Sequence, residues 1–178
     1  MAQYRYKLTQ ALAEAFEDAG FEVQTAFEAN TEALMVPLPV ENGPELTLQY
    51  IVREEDGTIS MRVFDVVRGI PSEKYGTMLA ACNHINGSIR YLKFVLDAVS
   101  NSIGIRYDFP IIEDRKTAGR QILGMSHMVY RVLKEYYPFL ICALYSDGRK
   151  AQSDFCKTED EASGNGEDGQ GSNKQMMS

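Results

Sequence analysis

Two histidines occur in the chain, and each lies close in sequence to a side chain that could act as a nucleophile or a metal ligand. His84 follows Cys82 by two residues, and His127 comes directly after Ser126. Residues two apart on a helix point about 200° away from each other, so Cys82 and His84 cannot bind one zinc ion from the same helix face. Adjacent residues also diverge, so Ser126 and His127 would need partners from elsewhere to form a hydrolase site.

Three aspartates, Asp65, Asp97 and Asp108, lie near the ends of predicted strands. Two carboxylates held close together could perform acid–base chemistry, although single aspartates at such positions more often cap turns or face solvent. We therefore expect no catalytic residue, no cofactor-binding residue, no metal ligand and no cofactor. A small enzyme or ligand-binding domain that uses Asp97, Asp108 and His127 is the alternative from the class of enzymes.

Basic residues cluster at the start of the third predicted helix, at Arg115, Lys116 and Arg120. Such a face could bind an acidic peptide or a nucleic acid, and a nucleic-acid-binding regulator is a lesser alternative. The 178 residues are 44% apolar and 24% charged, as in an ordinary globular protein, and their net charge is −7. Because a negative charge is unfavourable near phosphate backbones and anionic membranes, we expect no nucleic acid and no membrane partner.

Three cysteines, Cys82, Cys142 and Cys156, are an odd number at long spacings, which predicts reduced thiols and no disulfide framework. Cys142 lies in the apolar run YPFLICALY and is expected to be a small buried side chain. The sequence has no apolar stretch of membrane-spanning length, and its N-terminus lacks the features of a signal peptide. We therefore expect a cytoplasmic protein.

Apolar residues at helical spacing predict three helices, over residues 2–19, 71–87 and 114–145. The second helix has an apolar stripe of Tyr75, Met78, Leu79, Cys82 and Ile85, and the third has one of Ile122, Met125, Val129, Val132, Tyr136 and Leu140. Alternating apolar residues predict six strands, over 21–27, 33–40, 45–52, 58–66, 88–99 and 102–110. Short connections rich in turn-forming residues predict antiparallel pairing. The order α-ββββ-α-ββ-α predicts an α+β fold with an antiparallel sheet flanked by helices.

Prolines and glycines refine this layout. Pro37 and Pro39 cannot donate hydrogen bonds to a neighbouring strand, so we expect the second strand at a sheet edge or partly irregular. Pro138 predicts a kink or a break in the third helix. Gly119 and Gly124 are unfavourable within a helix, which suggests that they allow close packing on the sheet.

Composition changes abruptly near residue 146. Residues 146–178 are rich in Gly, Ser and acidic side chains and contain seven acidic and four basic residues. Such a segment cannot bury enough apolar surface to fold alone. We therefore expect one folded domain over residues 1–145 and a disordered acidic tail over 146–178.

One stretch carries a resemblance to a known family. A helix ends in N-x-x-N at Asn83 and Asn86, a strand follows with the sequence KFVLD over 93–97, and the next strand ends in Asp108-Phe109-Pro110. From the residues alone, the two asparagines are expected to cap the helix end and the following turn. The pattern resembles the second half of the YbjN domain family, and the order of elements extends the likeness to about residue 145.

The resemblance implies a fold similar to that of type III secretion chaperones, with a twisted antiparallel sheet, frequent dimers and no established catalytic residues. Members of the family are classed as candidate sensory transduction regulators of bacteria. We therefore expect a non-enzymatic bacterial regulator or chaperone-like adaptor that binds a protein or peptide client, with a homodimer as one form. A secretion chaperone for a specific client is the alternative among binding proteins. Apolar residues that the core does not need could form a dimer face, and the candidates for that face are Tyr75, Met78, Tyr91, Tyr136 and Tyr137.

Overall fold

A computed structural model describes residues 4, 6–28, 31–40, 43–53, 57–110 and 115–146. Three α-helices and six β-strands follow one another in the predicted order, and a 3₁₀ turn, Ser72–Lys74, precedes the second helix. The helices are α1 (Lys7–Asp18), α2 (Tyr75–Ser88) and α3 (Arg115–Tyr145). The strands are β1 (Gln24–Glu28), β2 (Thr31–Pro39), β3 (Glu45–Arg53), β4 (Thr58–Val67), β5 (Lys93–Asp97) and β6 (Ser102–Pro110). The predicted α+β layout is confirmed.

All six strands form one antiparallel sheet in the order β1-β2-β3-β4-β6-β5. Helix α2 connects β4 to β5, and β5 then turns back so that β6 pairs with β4. At the centre of the sheet, Leu34, Tyr50, Met61 and Tyr107 lie side by side on β2, β3, β4 and β6. The chain returns to the middle of the sheet only after α2, so the central pairing joins residues that are distant in sequence.

The apolar face of the sheet is covered by the helices, and we refer to it as the covered face. The predicted apolar sides of β3 and β4 are confirmed as buried: Leu46, Leu48, Tyr50, Val52, Ile59, Met61 and Val63. The ring of Phe16 on α1 lies 5.5 Å from that of Tyr50, and Ser126 on α3 bonds to the same tyrosine. Helix α2 contacts α3 through His84 and Phe139, whose rings are 5.6 Å apart. The three helices therefore lie on one side of the sheet.

Helix α1 begins at Lys7, later than the predicted residue 2, because Tyr6 has an extended backbone. The backbone N–H of Tyr6 donates a hydrogen bond of 2.9 Å to Oε2 of Glu32, a buried side chain on β2. The predicted end of the helix at Gly20 is confirmed. Gly20 has a φ of +84°, and the N–H of Phe21 donates to the carbonyl of Phe16, which closes the last turn.

Strand β2 is not at the edge of the sheet, so the prediction from its prolines is only half right. Its first half, up to Met35, pairs with β1. Over Val36–Pro39 the described register contains only β3 as a partner, with Pro37 opposite Thr47 and Pro39 opposite Glu45. The prolines therefore occupy the part of β2 that extends past β1, where the strand forms a local edge.

Two boundaries in the second half of the chain differ from the prediction. Helix α2 continues through Gly87 to Ser88, so β5 begins only at Lys93 and not at residue 88. Within α2, Met78, Cys82 and Ile85 are buried as predicted, but Leu79 is 48% exposed. Leu79 is one helical step from Met78, which turns it away from the sheet toward solvent.

Helix α3 is continuous through Pro138 and does not break there. Its buried seam contains Ser126 and Leu133, whereas the predicted Met125 and Val132 are only half-buried beside it. Gly119 packs on α1 and not on the sheet: a methyl group added there would lie 3.0 Å from the carbonyl oxygen of Ala11. Gly124 faces open space, so the packing predicted for it is wrong.

The prediction that Cys142 is buried is also wrong, because its thiol is exposed on α3. Leu140 and Ala143 are buried on either side of it in sequence, and position 142 is about 200° around the helix from Leu140. An apolar run on a helix therefore does not determine the burial of each member. Cys156 and the predicted acidic tail, from residue 147 onward, lie outside the described residues.

The buried hydrogen bond between the hydroxyls of Tyr50 and Ser126 is 2.6 Å long, and Ser126 Oγ also donates to the carbonyl of Ile122 at 3.1 Å. With its own hydrogen on Ile122, Ser126 accepts the hydroxyl hydrogen of Tyr50. Burial raises the pKa of Tyr50 well above its ordinary value, so this hydroxyl stays neutral and needs an acceptor.

We predict that Ser126→Ala lowers the free energy of unfolding by about 1 to 3 kcal/mol, because it leaves the Tyr50 hydroxyl buried without an acceptor. Tyr50→Phe should cost less, since Ser126 keeps its bond to Ile122. In the double variant, Tyr50→Phe should add little to the cost of Ser126→Ala, because the Tyr50 hydroxyl has already lost its acceptor. Urea unfolding of the four proteins provides the measurement, and equal costs for the two single variants would contradict this assignment of donor and acceptor.

Candidate functional site

Cys82 and His84, the side chains considered for a metal or thiol site, both lie on α2 but have different surroundings. Cys82 is buried, and this burial raises the pKa of its thiol to about 11. A thiol with such a pKa is protonated at neutral pH and is a poor nucleophile or metal ligand. His84 is half-buried against Phe139 of α3. In the described ranges, no group of three or more His, Cys, Asp or Glu side chains could hold a metal ion.

Ser126 and His127 do not form a nucleophile–base pair. Ser126 is buried and bonded to Tyr50 and to the carbonyl of Ile122, whereas His127 is exposed. The divergence expected for adjacent residues on a helix is confirmed here. The serine has a packing role at the helix–sheet contact.

Asp65 and Asp97 serve local backbone structure. Asp65 lies within β4, in the left-handed region with a φ of +57°, and forms an ion pair of 3.4 Å with Arg68. Asp97 accepts a hydrogen bond of 2.9 Å from the backbone N–H of Val99 in the turn between β5 and β6. Together with the N–H of Ser100, this bond holds the pKa of Asp97 below its ordinary value. The turn-capping role considered for these aspartates is therefore observed at Asp97.

Asp97 and Asp108 are not brought together. Asp97 pairs with Ser102 at the first residue of β6, and Asp108 lies six residues further along that strand, about 20 Å away. His127 is on α3, which packs on the opposite face of the sheet from Asp108. The three residues named for an enzymatic alternative thus have no common site.

Asp108 instead belongs to a polar network on the face of the sheet opposite the helices. Its Oδ1 accepts hydrogen bonds from Ser60 Oγ at 2.5 Å and from Arg62 Nη2 at 2.7 Å, and Arg53 Nη1 donates to Ser60 Oγ at 3.2 Å. Partial burial raises the pKa of Asp108, but the bonds from Ser60 and Arg62 and the charges of Arg62 and Arg53 outweigh this effect. The pKa of Asp108 therefore lies below its ordinary value.

We call this second face of the sheet the open face, because none of the described helices packs on it. In register across β2, β3, β4, β6 and β5, one row of side chains on this face is Met35, Gln49, Arg62, Arg106 and Lys93. The next row contains Ala33, Ile51, Ser60 and Asp108. The open face therefore runs from apolar side chains on β2 to basic ones on β6 and β5.

The first row places three cations side by side. Arg62 is directly opposite Arg106, which is directly opposite Lys93. Like charges in directly opposite positions destabilise a sheet. Two of the cations have local acceptors: Arg62 contacts Asp108, and Lys93 Nζ donates to the carbonyl oxygens of Asn86 and Ile89 at 3.0 and 3.3 Å. Arg106 is exposed between them.

A β-bulge shapes the other end of the open face. The register between β4 and β6 shifts between Val63 and Val67, and Phe64, which lies in this stretch, is 54% exposed. Gly104 is required opposite the bulge, since a methyl group there would lie 2.8 Å from the carbonyl oxygen of Val63. Next to Phe64 is a depression of about 250 Å³, lined by Met35, Glu45, Leu46, Thr47, Gln49, Phe64 and Arg68.

The five residues considered for a dimer face do not share one surface. Met78 is in the core, and the Tyr75 hydroxyl bonds to the side chain of Asn101 in the β5–β6 turn. Tyr91 is exposed with its ring 5.9 Å from Tyr107. Tyr136 is half-buried, and its pKa is raised by burial and by Glu135. The ring of Tyr137 approaches the loop at Gly43.

The basic cluster predicted at the start of α3 is described only in part. The side chains of Arg115 and Lys116 lie outside the described residues. Arg120 is exposed and lines a groove between α1 and α3, together with the acidic Glu14 and Asp18. Acidic neighbours around Arg120 make this end of α3 a mixed surface.

Asn86 and Asn83 differ in their structural roles. The side-chain amide of Asn86 donates to the carbonyl of Phe94 at 2.9 Å and accepts from the N–H of Phe94 at 2.8 Å. It thereby pairs with the outer edge of β5 as a neighbouring strand would. Asn83 is exposed on α2. The N-x-x-N pattern was expected to cap the end of the helix. Asn86 instead caps the edge of the sheet, through its two hydrogen bonds to Phe94.

Comparisons of the chain with protein-family models, curated proteins and solved structures find no match. The resemblance to the YbjN family stays a prediction from the residues that carry it. Among the described helices, none is both long enough and apolar enough to cross a membrane. The open face is the candidate functional site because it combines exposed apolar, basic and hydrogen-bonding groups on a rigid sheet.

We predict that Asn86→Ala lowers the free energy of unfolding by about 1 to 3 kcal/mol, since two hydrogen bonds to the backbone of Phe94 are lost. Asn83→Ala is the matched control and should change it by less than about 0.5 kcal/mol, because this side chain is exposed. Urea unfolding checks both values. A cost for Asn83→Ala as large as that for Asn86→Ala would contradict the assigned roles.

The lowered pKa of Asp108 predicts a pH-dependent contribution to stability. The folded protein binds the proton less readily than the unfolded chain, whose Asp pKa is about 3.9, so the contribution is present above that pH. It is lost as the pH falls through the lower folded-state pKa. The difference in unfolding free energy between wild type and Asp108→Asn should therefore be constant from pH 7 to pH 5 and shrink at pH 3 and below. A difference that grows on acidification would refute the network.

Proposed function

We propose that the chain is a non-enzymatic, protein-binding regulator or chaperone-like adaptor of the YbjN type that acts in the bacterial cytoplasm. The observation that supports this proposal is the open face, which no described helix covers. Phe64 is exposed beside the depression, and Met35 and Ile51 are half-buried nearby. Large apolar side chains next to arginines are typical of the centres of protein–protein interfaces.

The composition of the open face favours a different protein over a second copy of the chain as its partner. In the three rows at the middle of this face, strands β3 to β6 contribute four described basic side chains, Arg53, Arg62, Lys93 and Arg106, and the carboxylate of Asp108, whereas Glu45 and Asp97 lie toward its ends. Two copies that met through this face would place like charges against each other at short range, which costs free energy. If a homodimer forms, we expect it to use another surface.

A chaperone for a specific secreted client is the second form of this proposal. It shares the contact mechanism and differs in the fate of the partner. A stable complex at a fixed ratio would favour the chaperone form, whereas a partner that dissociates during purification would favour a transient regulator.

We predict that Phe64→Asp weakens binding of the native partner. The full chain, purified gently from its native host, should be analysed by light scattering on the gel-filtration peak and by mass spectrometry of co-eluting proteins. The partner identified with wild type is then purified and titrated against each variant. We expect Phe64→Asp to weaken binding at least tenfold, since a carboxylate replaces an exposed apolar contact.

Val99→Asp is the matched control, because Val99 is 94% exposed in the β5–β6 turn, away from the depression. It introduces the same charge and should bind the partner like wild type. Phe64→Ser, which adds no charge, should give an intermediate loss, and circular dichroism with urea unfolding checks that all variants fold. Equal binding by Phe64→Asp and Val99→Asp would refute the open face as the contact surface.

A further inference from the structure

Along the row of the open face from Met35 to Lys93, the side chains change from uncharged to basic. Met35 and Gln49 line the depression beside Phe64, and Gln49 is directly opposite Arg62. Arg106 and Lys93 follow on the next two strands. Neighbouring strands are about 4.8 Å apart, so the row leads from a hollow of mixed lining, with Phe64 and Met35 as its accessible apolar groups, to three cations within about 15 Å of Gln49.

The position of Arg106, the central cation of this row, is unfavourable for the stability of the sheet. Arg106 has a basic residue directly opposite it on both sides, Arg62 and Lys93, in a position where like charges are unfavourable. The neighbouring cations turn to local acceptors, Asp108 for Arg62 and the C-terminal carbonyls of α2 for Lys93. Arg106 keeps an exposed guanidinium, whose described electrostatic partner is Asp97. A bound carboxylate would relieve the repulsion along the row.

On this basis we propose that the row from Met35 to Lys93 binds an acidic, extended segment of a partner protein that runs across the strands. An apolar side chain of the segment occupies the hollow beside Phe64, and the next two side chains on the same side are carboxylates, of which the first contacts Arg62 and the second contacts Arg106 or Lys93. This inference rests on the proposed protein-binding function and assigns the chemistry of the partner. We choose an acidic segment because of charge complementarity: this row is basic, although the net charge of the chain is −7.

The spacing of the row sets the spacing of the ligand. In an extended peptide, alternate side chains lie on one side and are about 6.6 Å apart. An apolar residue over Gln49 therefore places the carboxylate two residues later near Arg62, and the one four residues later near Arg106 or Lys93. The recognised pattern is an apolar residue followed by acidic residues at the second and fourth positions after it.

The probe is a fluorescein-labelled peptide with the sequence Ser-Leu-Ser-Glu-Ser-Glu-Ser, titrated into the full chain and followed by fluorescence anisotropy. Two matched peptides have both Glu replaced by Gln, or Leu replaced by Ser. We expect the Gln peptide to bind at least tenfold more weakly and the Ser peptide severalfold more weakly. Binding of the acidic peptide should also weaken between 50 and 300 mM salt, as for exposed charges (Debye lengths of roughly 14 and 6 Å).

Three protein variants locate the site. Arg106→Gln should weaken peptide binding at least fivefold while the free energy of unfolding stays the same or rises, because a repulsive neighbour of Arg62 is removed. Asp108→Asn should strengthen binding, because it removes a carboxylate that competes for Arg62. Arg120→Gln is the control, since this exposed arginine lies on α3 beside Glu14 and Asp18, and it should bind the peptide like wild type.

The outcomes separate this inference from the proposed function. If the acidic and Gln peptides bind equally, or if Arg106→Gln and Arg120→Gln bind alike, the acidic chemistry is wrong. A labelled 12-nucleotide oligo-dT that binds more tightly than the peptide, and in an Arg106-dependent way, would overturn the choice of a protein ligand. In any of these cases, the proposed function still stands if the native partner is lost with Phe64→Asp and retained with Val99→Asp. It fails if that contrast is absent as well.

Discussion

The arrangement of the domain depends on one buried polar contact, the hydrogen bond between Tyr50 in the middle of the sheet and Ser126 on α3. Apolar packing alone would allow a helix to slide along a sheet, since many positions bury similar area. A buried hydroxyl pair has one satisfactory position, because every other leaves a donor without an acceptor. Phe16 of α1 packs on the same tyrosine, so one side chain of β3 helps to position both α1 and α3.

Much of the fold could be predicted from the sequence where one residue pattern has one structural explanation. The alternation in β3 and β4 identified both the strands and their buried side, because one face of this sheet is covered and the other is not. The ends of elements were predicted less well, since distant residues decide them. Tyr6 is held extended by Glu32, and the strand after α2 starts late because the helix continues to Ser88. Leu79 and Cys142 show that an apolar residue on a helix can still face solvent.

The candidate site could not be predicted from the sequence, because it depends on the order and register of the strands. Arg62, Arg106 and Lys93 become neighbours only when β6 is placed between β4 and β5, and no local pattern specifies that order. A signal was available nonetheless: alternation assigns Arg62 and Arg106 to the polar side of their strands. Apolar character alone did not separate Met78, which is in the core, from Tyr91, which is at the surface.

The two prolines of β2 have a consequence for how the chain behaves in a crowded cell. An unprotected strand edge can template the addition of identical strands from other copies, which is the first step toward cross-β fibrils. Where β2 extends past the end of β1, Pro37 and Pro39 remove two of the donors that such a growing stack would use. Asn86 occupies the backbone of Phe94 at the opposite end of the sheet. The chain can thus keep a broad sheet surface accessible while limiting its own polymerisation.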